Sequence, residues 1–202
     1  MPVSKYEICS RALNTIGLPS IASFTEVNQR AQICSDTWDQ FSRYLLSIYP
    51  WYFTKKKIQL GQDVIDPVND WTYSYALPGD MTRLNAVYSS GSTNASPLRD
   101  YELFGSKLFT DAGAVWVDYQ QHVEAEGYPE WFVYFAVKAY AREIAEQFSI
   151  DDTRVNRLDV QVWGPPQDNH RGGLFGFTMN LDSKQQPTRP IDDGLLVYTR
   201  FV

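Results

Sequence analysis

The spacing of apolar residues predicts one long amphipathic helix in the first quarter of the chain. Seven of them recur at alternating four- and three-residue steps: Val27, Ala31, Cys34, Trp38, Phe41, Leu45 and Ile48. This spacing puts them on one face of a helix, and a rise of about 1.5 Å per residue makes a rod roughly 35 Å long. Such an apolar face needs partner helices. The aromatic run at residues 49–53 ends the pattern, and strands are expected after it.

Two capping-box signals place the first two helices. Residues 4–7, Ser-Lys-Tyr-Glu, predict a helix over about residues 5 to 16, with Gly17 as its left-handed stop. Residues 23–26, Ser-Phe-Thr-Glu, form a second such signal directly before the long helix. Because the connecting loop is short, we expect these two helices to pack antiparallel.

The second half of the chain predicts a central helix and a shorter one. Pro129 and Glu130 suit the first turn of a helix that reaches about residue 148 and is apolar on nearly every side. A helix of this kind belongs at the centre of a bundle. Residues 151–153, Asp-Asp-Thr, then cap a fourth helix. Its apolar positions are Val155, Leu158 and Val162.

Between these helical segments the hydrophobic period changes to two, which is typical of strands. Residues 71–77 and 114–119 alternate aromatic or β-branched residues with polar ones. The pattern therefore predicts an α+β fold. An antiparallel helical bundle comprises residues 1–50 and 129–163, and a small antiparallel β subdomain, residues 51–128, is inserted into it.

Residues 164–202 differ from the rest because glycines and prolines interrupt them, and we expect no regular structure there. Apolar side chains nevertheless recur in this stretch, and we predict an extended C-terminal arm that packs on a partner. The candidate interface residues are Leu174, Phe175, Phe177, Leu195, Leu196, Tyr198 and Phe201. The alternative is a strap that folds back over the central helix of the same chain.

Composition and charge restrict the possible partners. The chain has 202 residues, 44% of them hydrophobic, and 24 acidic against 18 basic side chains give a formal net charge of −6. A dedicated DNA-binding protein needs a surplus of cations, so double-stranded DNA should slide past this protein rather than be held. No apolar run is long enough for a membrane span, and the first residues lack a signal-peptide core. We expect a protein that is made in the cytoplasm and contacts no membrane.

The chemistry of the chain predicts neither an enzyme nor a bound cofactor or metal. Cys9 and Cys34 fall on apolar helix positions and are predicted to be core residues. His122 and His170 have no neighbouring ligands at metal-binding spacing and are predicted to lie at the surface.

Four polar or glycine-rich segments leave alternatives open. The lysines at 55–57 can contact phosphate, or they can be solvated charges that protect an edge strand from aggregation. The pairs at 151–152 and 192–193 can supply the two carboxylates of a hydrolase, although adjacent aspartates are usually caps or solvated charges. Residues 172–176 lack the strand and helix that flank a phosphate-binding loop, and are predicted to be a hinge.

Several segments between residues 5 and 150 carry a resemblance to a known family. They are residues 12–17, 19–26, 45–53, 71–81 and 129–145. In order and spacing they resemble the head-to-tail adaptors of tailed bacteriophages, which include the tail tubular protein A of short-tailed phages. The resemblance weakens after Asp152, because relatives often continue a longer final helix where Trp163-Gly164-Pro165-Pro166 ends it here.

The resemblance implies a structural protein of the virion neck, without catalysis. It implies a ring of about twelve copies beneath the portal protein, with the tail nozzle or tail-tube protein on the other side. DNA passes transiently through such a ring during ejection. Two rival interpretations are another neck or tail-completion protein, and a hydrolase with an unrecognised carboxylate site.

Overall fold

The computed structural model describes residues 3–65, 67, 69–92, 95–168 and 172–185, and it combines helices with antiparallel sheets. The helices are α1 (Lys5–Thr15), α2 (Gln29–Ser47), α3 (Glu130–Ala145), α4 (Asp152–Trp163) and α5 (Gly173–Ser183). The strands are β1 (Lys55–Gln59), β2 (Tyr73–Ala76), β3 (Met81–Tyr88), β4 (Glu102–Phe104), β5 (Lys107–Thr110) and β6 (Trp116–Gln121). All of these strands lie between α2 and α3 in the sequence. The predicted α+β class is confirmed.

Helix α1 has the predicted position, but not the predicted cap. It ends before Gly17, whose φ of +85° is the left-handed conformation expected of a helix stop. Ser4 occupies the N-cap position, yet its side chain makes no capping hydrogen bond. The Glu7 carboxylate points along the helix and pairs with Arg11 instead of reaching back to Ser4. The capping box predicted at residues 4–7 is therefore wrong, because Glu7 forms an i,i+4 ion pair with Arg11 instead of a hydrogen bond with the backbone of Ser4.

Helix α2 begins later than the hydrophobic spacing predicts. Its N-cap is Asn28, whose side-chain oxygen accepts a hydrogen bond of 2.8 Å from the backbone N–H of Ala31. Glu26 reaches back to the Ser23 backbone N–H, so the second capping-box sequence closes a turn that precedes the helix. Val27 therefore lies outside the helix and is fully exposed. The remaining predicted apolar positions are buried or packed against the core, as expected.

Helix α3 has the contacts expected of a central helix. Ten of its 16 residues are buried, and it packs against α1, α2, α4 and α5. Pro129 is the N-cap rather than a first-turn residue, and the helix ends at Ala145 instead of near residue 148. The antiparallel directions within the bundle stay a prediction.

The strands form two three-stranded antiparallel sheets, in the orders β1-β6-β3 and β2-β5-β4. The predicted strands at 71–77 and 114–119 correspond to β2 and β6. Buried residues from both sheets share an apolar cluster separate from the one formed by the helices. The members of the sheet cluster are Leu60, Tyr75, Val87, Leu108, Val115, Val117 and Tyr119.

The segment after α4 contradicts the extended arm predicted for residues 164–202. Gly164 (φ +84°) turns the chain, and α5 starts at Gly173 (φ +56°). A Cβ on Gly164 would stand 2.6 Å from the Cα of Gly172, so only glycine permits this close approach. The approach lets α5 pack against α3 and α4. The glycines therefore do not prevent regular structure here; they permit it, and the strap alternative is correct for residues 173–183.

Candidate interaction surfaces

One tryptophan, Trp51, joins the end of α2, the start of α3 and α5. It is fully buried, and its indole N–H donates a 3.0 Å hydrogen bond to the backbone carbonyl of Leu45. The centroid of its ring lies 4.9 Å from that of Phe132 and 6.1 Å from that of Phe175. These contacts fix the position of α5 on the helical core, and so decide which of its side chains remain outside.

The predicted interface residues on α5 separate into buried and exposed positions. Phe175 is only 8% exposed, and its ring lies 5.4 Å from Trp163 and 5.8 Å from Phe135. Its predicted role as an anchor for a partner needs correction, because this side chain is already buried in its own chain. Phe177 is 61% exposed, and Leu174 is half-buried. Leu195, Leu196, Tyr198 and Phe201 lie outside the described residues.

Leu174, Phe177 and Leu181 form an apolar row along α5, which we call the α5 outer stripe; Phe177 at its centre is exposed, whereas Leu174 also packs against the helical core. They stand at the i, i+3, i+7 spacing that places side chains on one helix face. Each is partly or fully exposed, whereas Phe175, Thr178 and Asp182 are buried on the inward side. Leu181 is absent from the sequence prediction, although helical spacing from Phe177 would have found it. This stripe is available to a partner in the folded subunit.

A buried carboxylate ties α5 to the rest of the chain. Asp182 is 1% exposed, and both of its side-chain oxygens accept the backbone N–H of Tyr52, at 3.0 and 2.9 Å. Tyr52 opens the short 3-10 turn that connects α2 to β1. Burial raises the pKa of the Asp182 carboxyl. The contact positions α5, and therefore the α5 outer stripe, at the cost of burying a charge.

The three lysines of β1 lie on an exposed edge strand, as one of the two sequence interpretations expects. The Lys55 ammonium lies 3.1 Å from the carboxylate of Asp118, and Lys56 lies 3.1 Å from Asp80. The hydrogen bond to Asp80 raises the pKa of Lys56. The Lys57 ammonium stands 4.3 Å above an aromatic ring of the same sheet. All three cations therefore have partners within the subunit, which favours edge protection over phosphate binding.

The two cysteines and His122 lie in surroundings that indicate a structural role. Cys9 and Cys34 are buried free thiols, as predicted, and burial raises the pKa of Cys9. His122 is half-buried and lies 3.5 Å from the Glu124 carboxylate. Its Nδ1 is buried with no hydrogen-bond partner among the described residues, so only part of the ring has the predicted surface position. His170 lies outside the described residues.

The carboxylates proposed for a hydrolase show a capping arrangement. Asp151 accepts a 3.1 Å hydrogen bond from the backbone N–H of Thr153 and is the N-cap of α4. Asp152 follows it, and both side chains are exposed. The pair at 192–193 lies outside the described residues. In the part of the chain that the structure describes, no group of three or more His, Cys, Asp or Glu side chains could hold a metal ion.

Among the described residues, no helix has the length and apolar character that crossing a membrane requires. No protein-family model matches the sequence, and no curated protein matches it either.

Proposed function

We propose that this protein is a head-to-tail adaptor of a tailed bacteriophage. About twelve copies form a closed ring that binds the portal protein on one side and the tail nozzle or tail-tube protein on the other. The ring belongs to the neck of the virion and is assembled in the host cytoplasm. Double-stranded DNA passes through it during ejection without stable binding. The role is structural and involves no catalysis.

The observation that best supports this proposal is that two of the family-like segments meet at Trp51. The segments at 45–53 and 129–145 are separated in the sequence by every strand of both sheets. In the structure the ring centroids of Trp51 and Phe53 lie 4.9 and 4.8 Å from that of Phe132. The resemblance thus falls on residues that connect the helices to the sheets, rather than on scattered surface positions.

A third family-like segment, residues 71–81, also has a defined structural role. Its Asp80 accepts a 3.0 Å hydrogen bond from the hydroxyl of Tyr119 and one of 3.1 Å from Lys56. Burial works against ionisation, but these two hydrogen bonds produce a net lowering of the pKa of Asp80. The turn after β2 is therefore tied to the other sheet.

In this proposal the fold is an antiparallel helical bundle, residues 1–50 and 129–163, with a β subdomain inserted at 51–128. Support comes from the separate apolar clusters of the helices and of the sheets. Helix α5 replaces part of the predicted arm and adds the α5 outer stripe to the surface of the bundle.

Charge and exposed apolar surface agree with a ring through which DNA moves. The net charge of −6 offers few cations to hold phosphates, and the lysines of β1 are paired within the subunit. The α5 outer stripe supplies an apolar contact for a neighbouring subunit or for the portal. A head-to-tail contact of this kind generates a ring when the rotation closes.

The deciding experiment mixes the purified protein with the portal protein encoded in the same genome and images the mixture by electron microscopy. We expect rotationally symmetric rings attached to one face of the portal. A matched variant, Phe177→Glu, keeps the core of the subunit and removes the centre of the α5 outer stripe. Absence of any complex with the portal, together with binding to purified tail components, would favour another neck or tail-completion protein.

A further inference from the structure

The outer face of the β2-β5-β4 sheet carries an exposed apolar groove. Tyr75 and Leu108 are paired across the sheet and lie in the buried cluster between the sheets. Phe109 and Phe104 alternate with them and occupy the opposite face. Together with Ile65 of the preceding loop they line a groove of about 490 Å³, which we call the sheet groove. Phe104 is 68% exposed and Ile65 is 80% exposed, so the residues that the structure describes leave this surface uncovered.

Beside the sheet groove lies an edge strand with open backbone groups. β4 pairs with β5 on one side, and the structure pairs no described residue with its other side. All three residues of β4 are exposed. The strand contains no lysine and no proline, in contrast to β1 at the edge of the other sheet. An edge of this kind can accept an added strand, whose side chains then enter the adjacent groove.

The chain itself contains a segment with the composition of such a strand. Residues 195–202 read Leu-Leu-Val-Tyr-Thr-Arg-Phe-Val and are rich in residue types that favour strands. The only charged residue of this segment is Arg200, and the only charged residue of β4 is Glu102. Arg200 can pair with the exposed Glu102, whose carboxylate also accepts the indole N–H of Trp71. Lys107, which also lines the groove, is already paired with Asp63, and every other side chain of the segment is uncharged.

We propose that residues 195–202 of one copy pair with the β4 edge of the neighbouring copy and fill its sheet groove. This inference rests on the proposed ring, because each subunit of a ring needs one head-to-tail contact. The neighbour supplies the segment, since α5 is held on the helical cluster by Phe175 and Asp182. The sheet groove lies on the far side of the separate sheet cluster.

Disulfide trapping in the portal-bound ring tests the pairing. One preparation carries Leu103→Cys, and a second preparation with a different affinity tag carries a single cysteine at one position from 195 to 201. The native thiols of Cys9 and Cys34 are both buried. We expect heterodisulfides between the two preparations, with yields that alternate with a period of two along the segment. The matched control is Tyr134→Cys on α3, which is 54% exposed but lies away from β4.

Variants of the groove give a second measurement. Phe104→Asp in the Leu103→Cys preparation should lower the cross-link yield by about tenfold, because one buried aromatic contact is worth that much or more. Tyr134→Asp in the same preparation should leave the yield unchanged. Yields no higher than those of the Tyr134→Cys control would overturn the pairing. A third preparation carries both introduced cysteines in one chain, and a disulfide that forms only within that chain would also overturn the pairing. If rings bind the portal without this cross-link, only the inference fails; if nothing binds the portal, the proposed function fails.

Discussion

Phe175 is the residue on which the docking of α5 depends most directly. Its side chain is enclosed by the rings of Trp51, Phe135 and Trp163 and is only 8% exposed. Replacing it with alanine removes these contacts and leaves a cavity that the surrounding rings fill incompletely. Buried Phe→Ala substitutions cost about 3–5 kcal/mol. In a chain of this size each kcal/mol lowers the melting temperature by about 2–4 °C, so we expect Phe175→Ala to melt roughly 6–20 °C below the parent.

The matched control for this substitution is Phe177→Ala, two residues further along the same helix. Phe177 is 61% exposed, so its truncation should change the free energy of unfolding by no more than about 0.5 kcal/mol. The measurements are thermal melts followed by near-UV circular dichroism and urea titrations at one pH. If Phe175→Ala melts together with the parent and with Phe177→Ala, α5 does not stabilise the fold in solution. The extended arm predicted from the sequence would then be the better description.

Three further predictions concern the buried face of α2, the buried carboxylate of Asp182 and the assembly of the proposed ring. Phe41→Ala and Leu45→Ala on the buried face of α2 should each cost about 2–5 kcal/mol in urea titrations, and parent-like melting of both would exclude the packed α2. Because burial raises the folded-state pKa of Asp182, its contribution to stability declines as the pH rises through that pKa. Asp182→Asn, whose amide oxygen can still accept the Tyr52 N–H, should therefore gain stability relative to the parent as the pH rises above about 4, the ordinary aspartate pKa. A stability difference that stays constant with pH would contradict the buried charge. Sedimentation should show a small species for the isolated protein and a large one after portal is added, and a stable ring without portal would refute this templating.

The helices that the sequence predicts correctly are those whose apolar spacing is set by the core they face. In α2, the positions of Cys34, Trp38 and Phe41 follow from periodicity alone, because every turn of this helix packs against the same core. Periodicity does not predict the residue at which α2 begins. Asn28 and the turn closed by Glu26 select the first helical residue, and Val27 remains outside despite its favourable spacing.

Helix α5 could not be predicted from local signals, because the reason for its position is a contact between two chain segments. Gly164 and Gly172 are ordinary loop signals in the sequence. Their role becomes apparent only in the folded chain, where the Cα of Gly172 lies 2.6 Å from the position that a Cβ on Gly164 would occupy. Local rules interpret such glycines as breaks, whereas the fold uses them to bring α5 onto α4.

The position of α5 also limits which apolar surfaces are free for contacts between copies. With Phe175 inside the core, we expect the contacts of the proposed ring to come from the α5 outer stripe and from the proposed pairing of the segment at 195–202 with the sheet groove. A stable interface buries roughly 800 Å² on each partner, and one three-residue stripe is small by this standard. Binding to the portal, as we propose it, would hold neighbouring copies close together and so raise their effective concentration. Two modest contacts per subunit, each repeated around a closed ring, can therefore give a stable assembly from copies that associate weakly when free.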